Sequence, residues 1–263
     1  MPGKQAPLDS PYIELLRDTA SRILQPNRSR CEPVSAADVH AMLKQFLTPT
    51  CDLRTRMHLT VYLLMFLGLF RFDDIQHILV HRDLLRFIYN TDQSLAGVLI
   101  FIPCSKTDQS GDGAWVAVGA TGGEFCPAKL IFQLLSEGNY VRFSSSMDVG
   151  PLLRATKQAY KPSRAVVLRQ TTAPLSQPIP ALTYSAFRTS ILAFAAQCLN
   201  KHVGLHSARA GGASAAAEAG IDSRLVCGLG RWKQGTTFAD TYIKMMEGNM
   251  FRFFEITRQI WPY

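Results

Sequence analysis

The sequence predicts an α+β fold: a mainly helical body that carries a small antiparallel three-stranded sheet. Three observations lead there. Residues 54–70 are apolar on nearly every side, the pattern of a helix buried at the centre of a core. From Asp83 to about Gly119 the apolar period drops to two, in three short runs bounded by polar or Gly-rich turns. After Pro127 helical spacing returns and dominates the rest of the chain.

Taken in order, the first eight residues carry no pattern, and Asp9-Ser10-Pro11 then offers a cap and an N1 proline for a helix to about Leu24. Residues 25–30 read as a linker. Ser35 and Asp38 have capping-box spacing, with Asp in place of the usual Glu, ahead of Val39, Met42, Leu43, Phe46 and Leu47 on one helix face. The buried helix follows, and then strands over Leu84–Ile88, Gly97–Ile102 and Ala114–Val118 as a meander. Leu130, Ile131, Leu134 and Leu135 define the next helix. Further helices are expected at 183–199, 205–219, 223–229 and 236–246, with the Pro/Thr/Gln-rich stretch 164–180 as a loop. The domain plan is therefore an N-terminal extension with one helix (1–30), a main body (31–248) and an aromatic C-terminal segment (249–263).

Composition narrows the function. With 263 residues, 47% hydrophobic, 18% charged and 15 Phe, the chain is too apolar to be disordered and long enough for a sizeable core. A formal charge of +8 points to a polyanionic partner. The six cysteines are far apart, with no Cys-x-x-Cys pair and no His at ligand spacing, so neither a zinc site nor a disulfide framework is expected. Nothing at the N-terminus has the form of a signal peptide, and the apolar stretch 57–70 is too short to span a bilayer; the expectation is a soluble intracellular protein.

The densest polar cluster is His206-Ser207-Ala208-Arg209, followed by Gly211, Gly212 and several alanines. On a helix, residues three apart share a face, which places an imidazole and a guanidinium side by side. The small residues behind them let the helix approach a neighbour closely. In isolation the cluster reads as an ordinary helix start. Downstream, Gly230-Arg231-Trp232 precedes Thr236-Thr237 and Tyr242, which by itself reads as a core tyrosine. Upstream, Arg71 closes the apolar segment, and a guanidinium there needs an anion, either Asp74 or a ligand, unless it only complements the helix dipole. Lys106 stands between two expected strands, where a lysine is ordinarily a solubilising surface residue.

Arg71, a hairpin Lys106, His206-x-x-Arg209, Trp232 and Tyr242, in that order over about residues 33–244, resemble the catalytic domain of the tyrosine recombinase (phage integrase) family. Leu205-His206-Ser207-Ala208-Arg209 and Gly230-Arg231-Trp232 are close to the Cre-type form. Lys106-Thr107-Asp108-Gln109-Ser110-Gly111 and Gly113-Ala114-Trp115-Val116 look like the hairpin of eukaryotic mobile-element (DIRS-like) members.

The resemblance implies a site-specific DNA recombinase or integrase that cuts through a 3′-phosphotyrosyl intermediate. Tyr242 is then the nucleophile, Arg71 and Arg209 grip the non-bridging phosphate oxygens, and Lys106 protonates the leaving 5′-oxygen. His206 hydrogen-bonds the phosphate, Trp232 donates its indole N–H, and Asp74 orients the cations. It implies no metal and no other cofactor, double-stranded DNA as partner, a tetramer on paired sites, and a nuclear location if the source is a eukaryotic mobile element. The aromatic tail from 249 onward would dock into a neighbouring protomer on DNA, or fold back on its own domain without it. Three features depart from the family. Trp232 and Tyr242 stand 10 positions apart, about one more than usual; Arg231 follows Leu229-Gly230 where many members have His; and only about 30 residues precede the matched span, where members carry a separate DNA-clamping domain. Two other readings remain beside it: a catalytically silent DNA-binding remnant of a mobile element, and a type IB topoisomerase.

Overall fold

The computed structural model describes residues 31–104, 112–140, 147–148, 150–160, 165–171, 173–174, 176–232 and 250–263. The expected helices at 9–24 and 236–246, Lys106 and Tyr242 lie outside these residues.

The chain enters helix α1 (Ala36–Phe46) through the capping box: Ser35 Oγ accepts from the Asp38 amide while Asp38 Oδ2 accepts from the Ser35 amide. Helix α2 (Leu53–Leu67), capped by Asp52, is the axis of the core. Met57, Leu59, Val61, Leu63, Leu64, Met65, Phe66 and Leu67 are all fully buried in it. At about 1.5–3 kcal/mol per buried large apolar side chain, this one helix supplies a major part of the driving force for folding. It stops at Gly68, and a single turn, α3 (Phe72–Ile75), follows.

Strands β1 (Leu85–Tyr89), β2 (Leu95–Ile102) and β3 (Ala114–Gly119) form an antiparallel sheet in sequential order, as the alternation requires. The cross-strand row Leu85, Ile100 and Val116 is fully buried on one face, toward α4 (Pro127–Glu137), which begins with its proline at N1. The other face is covered at one end by α8, residues 250–260. Gly97 and Gly119 make room there, because a Cβ on Gly97 would stand 2.6 Å from the Phe254 ring. Phe253, Phe254 and Trp261 are fully buried, the Trp261 indole donates to Phe125 O (3.0 Å), and Thr257 Oγ1 accepts from the Gly119 amide (2.9 Å). In the single chain, then, the described part of the aromatic segment is seated on its own sheet.

The segment between α4 and the next long helix holds four short strands among its described residues, and the two that fall within 164–180 replace the loop expected there. It contains β4 (Met147–Asp148) paired with β7 (Ala173–Pro174), and a ribbon of β5 (Thr156–Gln158) on β6 (Val166–Leu168). Strands of two or three residues are too short to display a period, so nothing in the alternation marks them. Buried Arg154 anchors the ribbon's base, donating to Pro151 O (2.6 Å) and Thr171 O (3.2 Å) with its guanidinium over the Tyr140 ring.

Three helices complete the body: α5 (Tyr184–Cys198), α6 (Leu205–Glu218) and α7 (Ser223–Gly230). Helix α6 lies against α2 with no room to spare. A Cβ on Gly212 would fall on the Phe66 carbonyl, with Leu69 Cδ2 at 2.8 Å, and one on Gly211 would fall on the carbonyl of Val34.

Candidate active site

The site forms where α2, α6 and α7 end or begin beside the α3 turn. Past Gly68 the backbone turns through Leu69 in the left-handed region (φ 49°), and past Gly230 it does the same through Arg231 (φ 53°). Neither position is glycine, and a residue with a Cβ stays there only when its surroundings compel it. What compels them is on view: the carbonyls of Leu69 and Gly230 both accept from Arg209, the former from Nη1 and the latter from Nη2 at 2.6 Å. The close packing of α6 on α2 brings Arg209 deep enough to reach both, and it is only 7% exposed.

Asp74, wholly buried, stands at the centre. Its Oδ2 accepts from the Arg71 amide (2.7 Å) and from Arg231 Nη2 (2.6 Å), and Arg209 Nη1 lies 3.8 Å away. Its Oδ1 is buried without a hydrogen-bond partner, and so is Arg71 Nη1. Burial lowers the pKa of Arg209 to about 9, the guanidinium groups of Arg71 and Arg231 press the same way, and Asp74 opposes them. Two guanidinium groups thus approach one carboxylate, which the third arginine meets through its main-chain amide. The Trp232 ring, half-buried, lies 5.2 Å from Arg209 Cζ, and the Phe70 ring lies 5.0 Å from Arg231 Cζ.

The structure brings together Arg71, Asp74, Arg209 and Trp232 of the residues singled out in the sequence. His206 is on the same helix one turn before Arg209 and is exposed. Lys106 falls between β2 and β3 and Tyr242 between α7 and α8 in the sequence, outside the described residues. In the sequence Arg231 stands out only as a departure from the family pattern, an arginine after Leu-Gly, and nothing there announces its place against Asp74. Among the described residues no group of three His, Cys, Asp or Glu could hold a metal ion, and no helix is long and apolar enough to cross a membrane.

No known family model matches the chain, and no curated protein does. Solved structures do. A mutant Flpe–DNA Holliday junction complex is 13% identical over 90% of this chain and 56% of that one, with a TM-score of 0.51. The integrase from mycobacterium phage Brujita is 16% identical over 91% of this chain and 61% of its own, with a TM-score of 0.52. At these identities the likeness is one of fold, and the chain has the catalytic fold of the tyrosine recombinases, helices around a three-stranded antiparallel sheet. It spans just over half the length of the structures it matches.

Proposed function

We propose that the chain is the catalytic portion of a site-specific DNA recombinase that breaks and rejoins strands through a 3′-phosphotyrosyl link. The observation that supports this reading is the charge count at the site. Three arginines against one aspartate leave a surplus of two positive charges around a buried, unused donor, Arg71 Nη1. A phosphodiester brings one negative charge. When a phenolate attacks it, the five-coordinate transition state carries two. The surplus is matched to the transition state better than to the bound substrate, which is the condition for catalysis rather than mere binding.

In this mechanism the Tyr242 oxygen forms a bond to phosphorus and the P–O5′ bond breaks. The phenol proton leaves by way of His206 and Lys106 protonates the departing 5′-oxygen. Arg71 and Arg209 hold the non-bridging oxygens in the planar, two-pronged manner suited to guanidinium. A phenol with a pKa near 10 needs such cations close by to react at neutral pH. The energy of the diester is kept in the phosphotyrosine, so rejoining requires no nucleotide cofactor.

The whole net charge supports DNA as substrate. Residues 149–217 contain eight Lys and Arg and no Asp or Glu, while the rest of the chain carries twenty of each. On paired DNA sites the enzyme works as a tetramer, with the segment from 249 onward exchanged between neighbours, and the Cre-type and mobile-element features of the sequence support a transposable element as its source. A suicide assay tests the reading. Nicked duplexes built from the repeats flanking the encoding element should trap a covalent adduct with the wild type and none with Tyr242→Phe. Binding without any adduct would favour the silent DNA-binding remnant, and relaxation of supercoiled plasmid without sequence preference would favour a topoisomerase.

A further inference from the structure

Arg231 differs from the other two site arginines in how it is spent. A wholly buried carboxylate must be compensated, and two guanidinium groups, those of Arg231 and Arg209, stand within 4 Å of Asp74. Arg71 meets it through its main-chain amide, and Arg209 stands off at 3.8 Å, held by two carbonyls. Arg231 alone makes a short side-chain hydrogen bond to it, 2.6 Å from Nη2 to Oδ2. Its geometry is fixed on both sides, by the left-handed backbone at φ 53° and by the Phe70 ring under its guanidinium. The alternative arrangement is close at hand. Arg209 Nη1 needs to move only about 1 Å to enter hydrogen-bonding range of Oδ2. An Asp74 left without Arg231 would draw it in, and a guanidinium paired with a carboxylate is withdrawn from a phosphate.

We infer that Arg231 is a positioning residue that occupies Asp74 as a standing counter-cation and so keeps Arg209 and Arg71 free for the scissile phosphate. The inference rests on the recombinase reading and extends it to a residue outside the expected catalytic set. Arg231 itself touches no DNA in this arrangement. The lowered pKa of Arg209, due first to burial and then to the guanidinium groups of Arg71 and Arg231, is in keeping with it, because a further cation is tolerated there only where the carboxylate needs it.

A double-mutant cycle on the full chain reads this out. The measurements are the rate of covalent adduct formation at saturating nicked duplex, the duplex concentration at half-maximal rate, and the melting temperature. Arg231→Met should lower the saturated rate by about a hundredfold, the cost of a misplacement near 1 Å at the reacting centre, while Arg231→Lys, which keeps a cation on Asp74, should stay within about tenfold. With Asp74→Asn already in place there is no carboxylate to capture Arg209, so adding Arg231→Met should cost less than about threefold. That loss of effect is the signature; a residue that merely stabilised the fold would cost the same in both backgrounds. Should Arg231→Met alone not fold, the comparison of Asp74→Asn with the double variant decides, since neither buries an uncompensated carboxylate. A full effect of Arg231→Met in the Asp74→Asn background, or a wild-type rate in Arg231→Met, overturns the inference and leaves the recombinase reading standing. No adduct from the wild type overturns both.

Discussion

Gly212→Ala sets two effects of opposite sign against each other. In the middle of a helix the change should gain about 1 kcal/mol of intrinsic helix propensity. Against this, the new methyl would overlap the Phe66 carbonyl and stand 2.8 Å from Leu69 Cδ2, both fully buried. The carbonyl belongs to the central turn-by-turn ladder of α2 and has nowhere to go, so α6 must recede by about 1 Å or more, an overpacking that typically costs about 1–3 kcal/mol. The net loss is about 0–2 kcal/mol, a fall in melting temperature of at most about 8 °C for a chain of this size. Activity should suffer out of proportion. Arg209 is three residues earlier on the same side of α6, and the same recession pulls its guanidinium from the carbonyls of Leu69 and Gly230. A displacement of that size should lower the cleavage rate by about a hundredfold. The companion variant is Ala210→Gly at an exposed position, which loses about 1 kcal/mol of propensity but leaves the interface untouched, and should lower the melting temperature with the cleavage rate unchanged. Thermal melts and the suicide assay, run on both, give the result. A Gly212→Ala protein that melts higher than wild type and cuts at the wild-type rate would refute the close packing of α6 on α2.

His58 is buried in α2 against the Phe187 ring, and burial, helped by Arg54, lowers its pKa to about 4. Because the folded state prefers the neutral ring, stability should be fully present above pH 6.5 and lost as the pH falls from there through about 4, by about 3 kcal/mol in all; urea titrations should show that slope flattened in His58→Phe, and an unchanged slope would mean another group is responsible. The β5–β6 ribbon exposes Lys157, Arg169 and Tyr160, and Arg54 Nε donates to Thr156 Oγ1 at its base. If duplex DNA runs past it, Lys157→Glu with Arg169→Glu should weaken binding to a random-sequence duplex and make the salt dependence of log K shallower by about 2, one for each phosphate no longer neutralised; an unchanged salt slope would take the ribbon off the DNA path.

The fold was legible where local chemistry and burial agree. The Ser35–Asp38 box, Pro127 at N1 and the all-round apolar segment each fix an element by a mechanism written in adjacent residues, and each element begins within a residue or two of its expected place. The ribbon was not legible because its strands hold together through one another and through Arg154, an interaction between distant residues with no periodic trace. The site divides in the same way. Spacing put His206 and Arg209 on one side of a helix, yet it could not say that the first would be exposed and the second buried, since that depends on how closely α6 meets α2. Leu69 carries no mark of its left-handed backbone, because the glycine that would signal such a turn stands one residue earlier.

The unreadable features of the site share a physical character: each costs stability in the protein standing alone. Two non-glycine residues in the left-handed region cost about 1–3 kcal/mol each. A carboxylate oxygen and a guanidinium nitrogen are buried without partners, and each such group forfeits a hydrogen bond it had in water. Two guanidinium groups crowd one aspartate, with that of Arg71 pressing on Arg209 nearby. A fold optimised only for its own stability would have placed glycines at 69 and 231 and let Arg71 and Arg209 close on Asp74. Here Arg209 is instead tied to two carbonyls and Asp74 to Arg231, and on the recombinase reading the surplus positive charge is met by an incoming phosphate. On that reading the strain and the orphaned donor belong to one design, in which the site is held open at the expense of the free protein until a phosphate stands between its arginines.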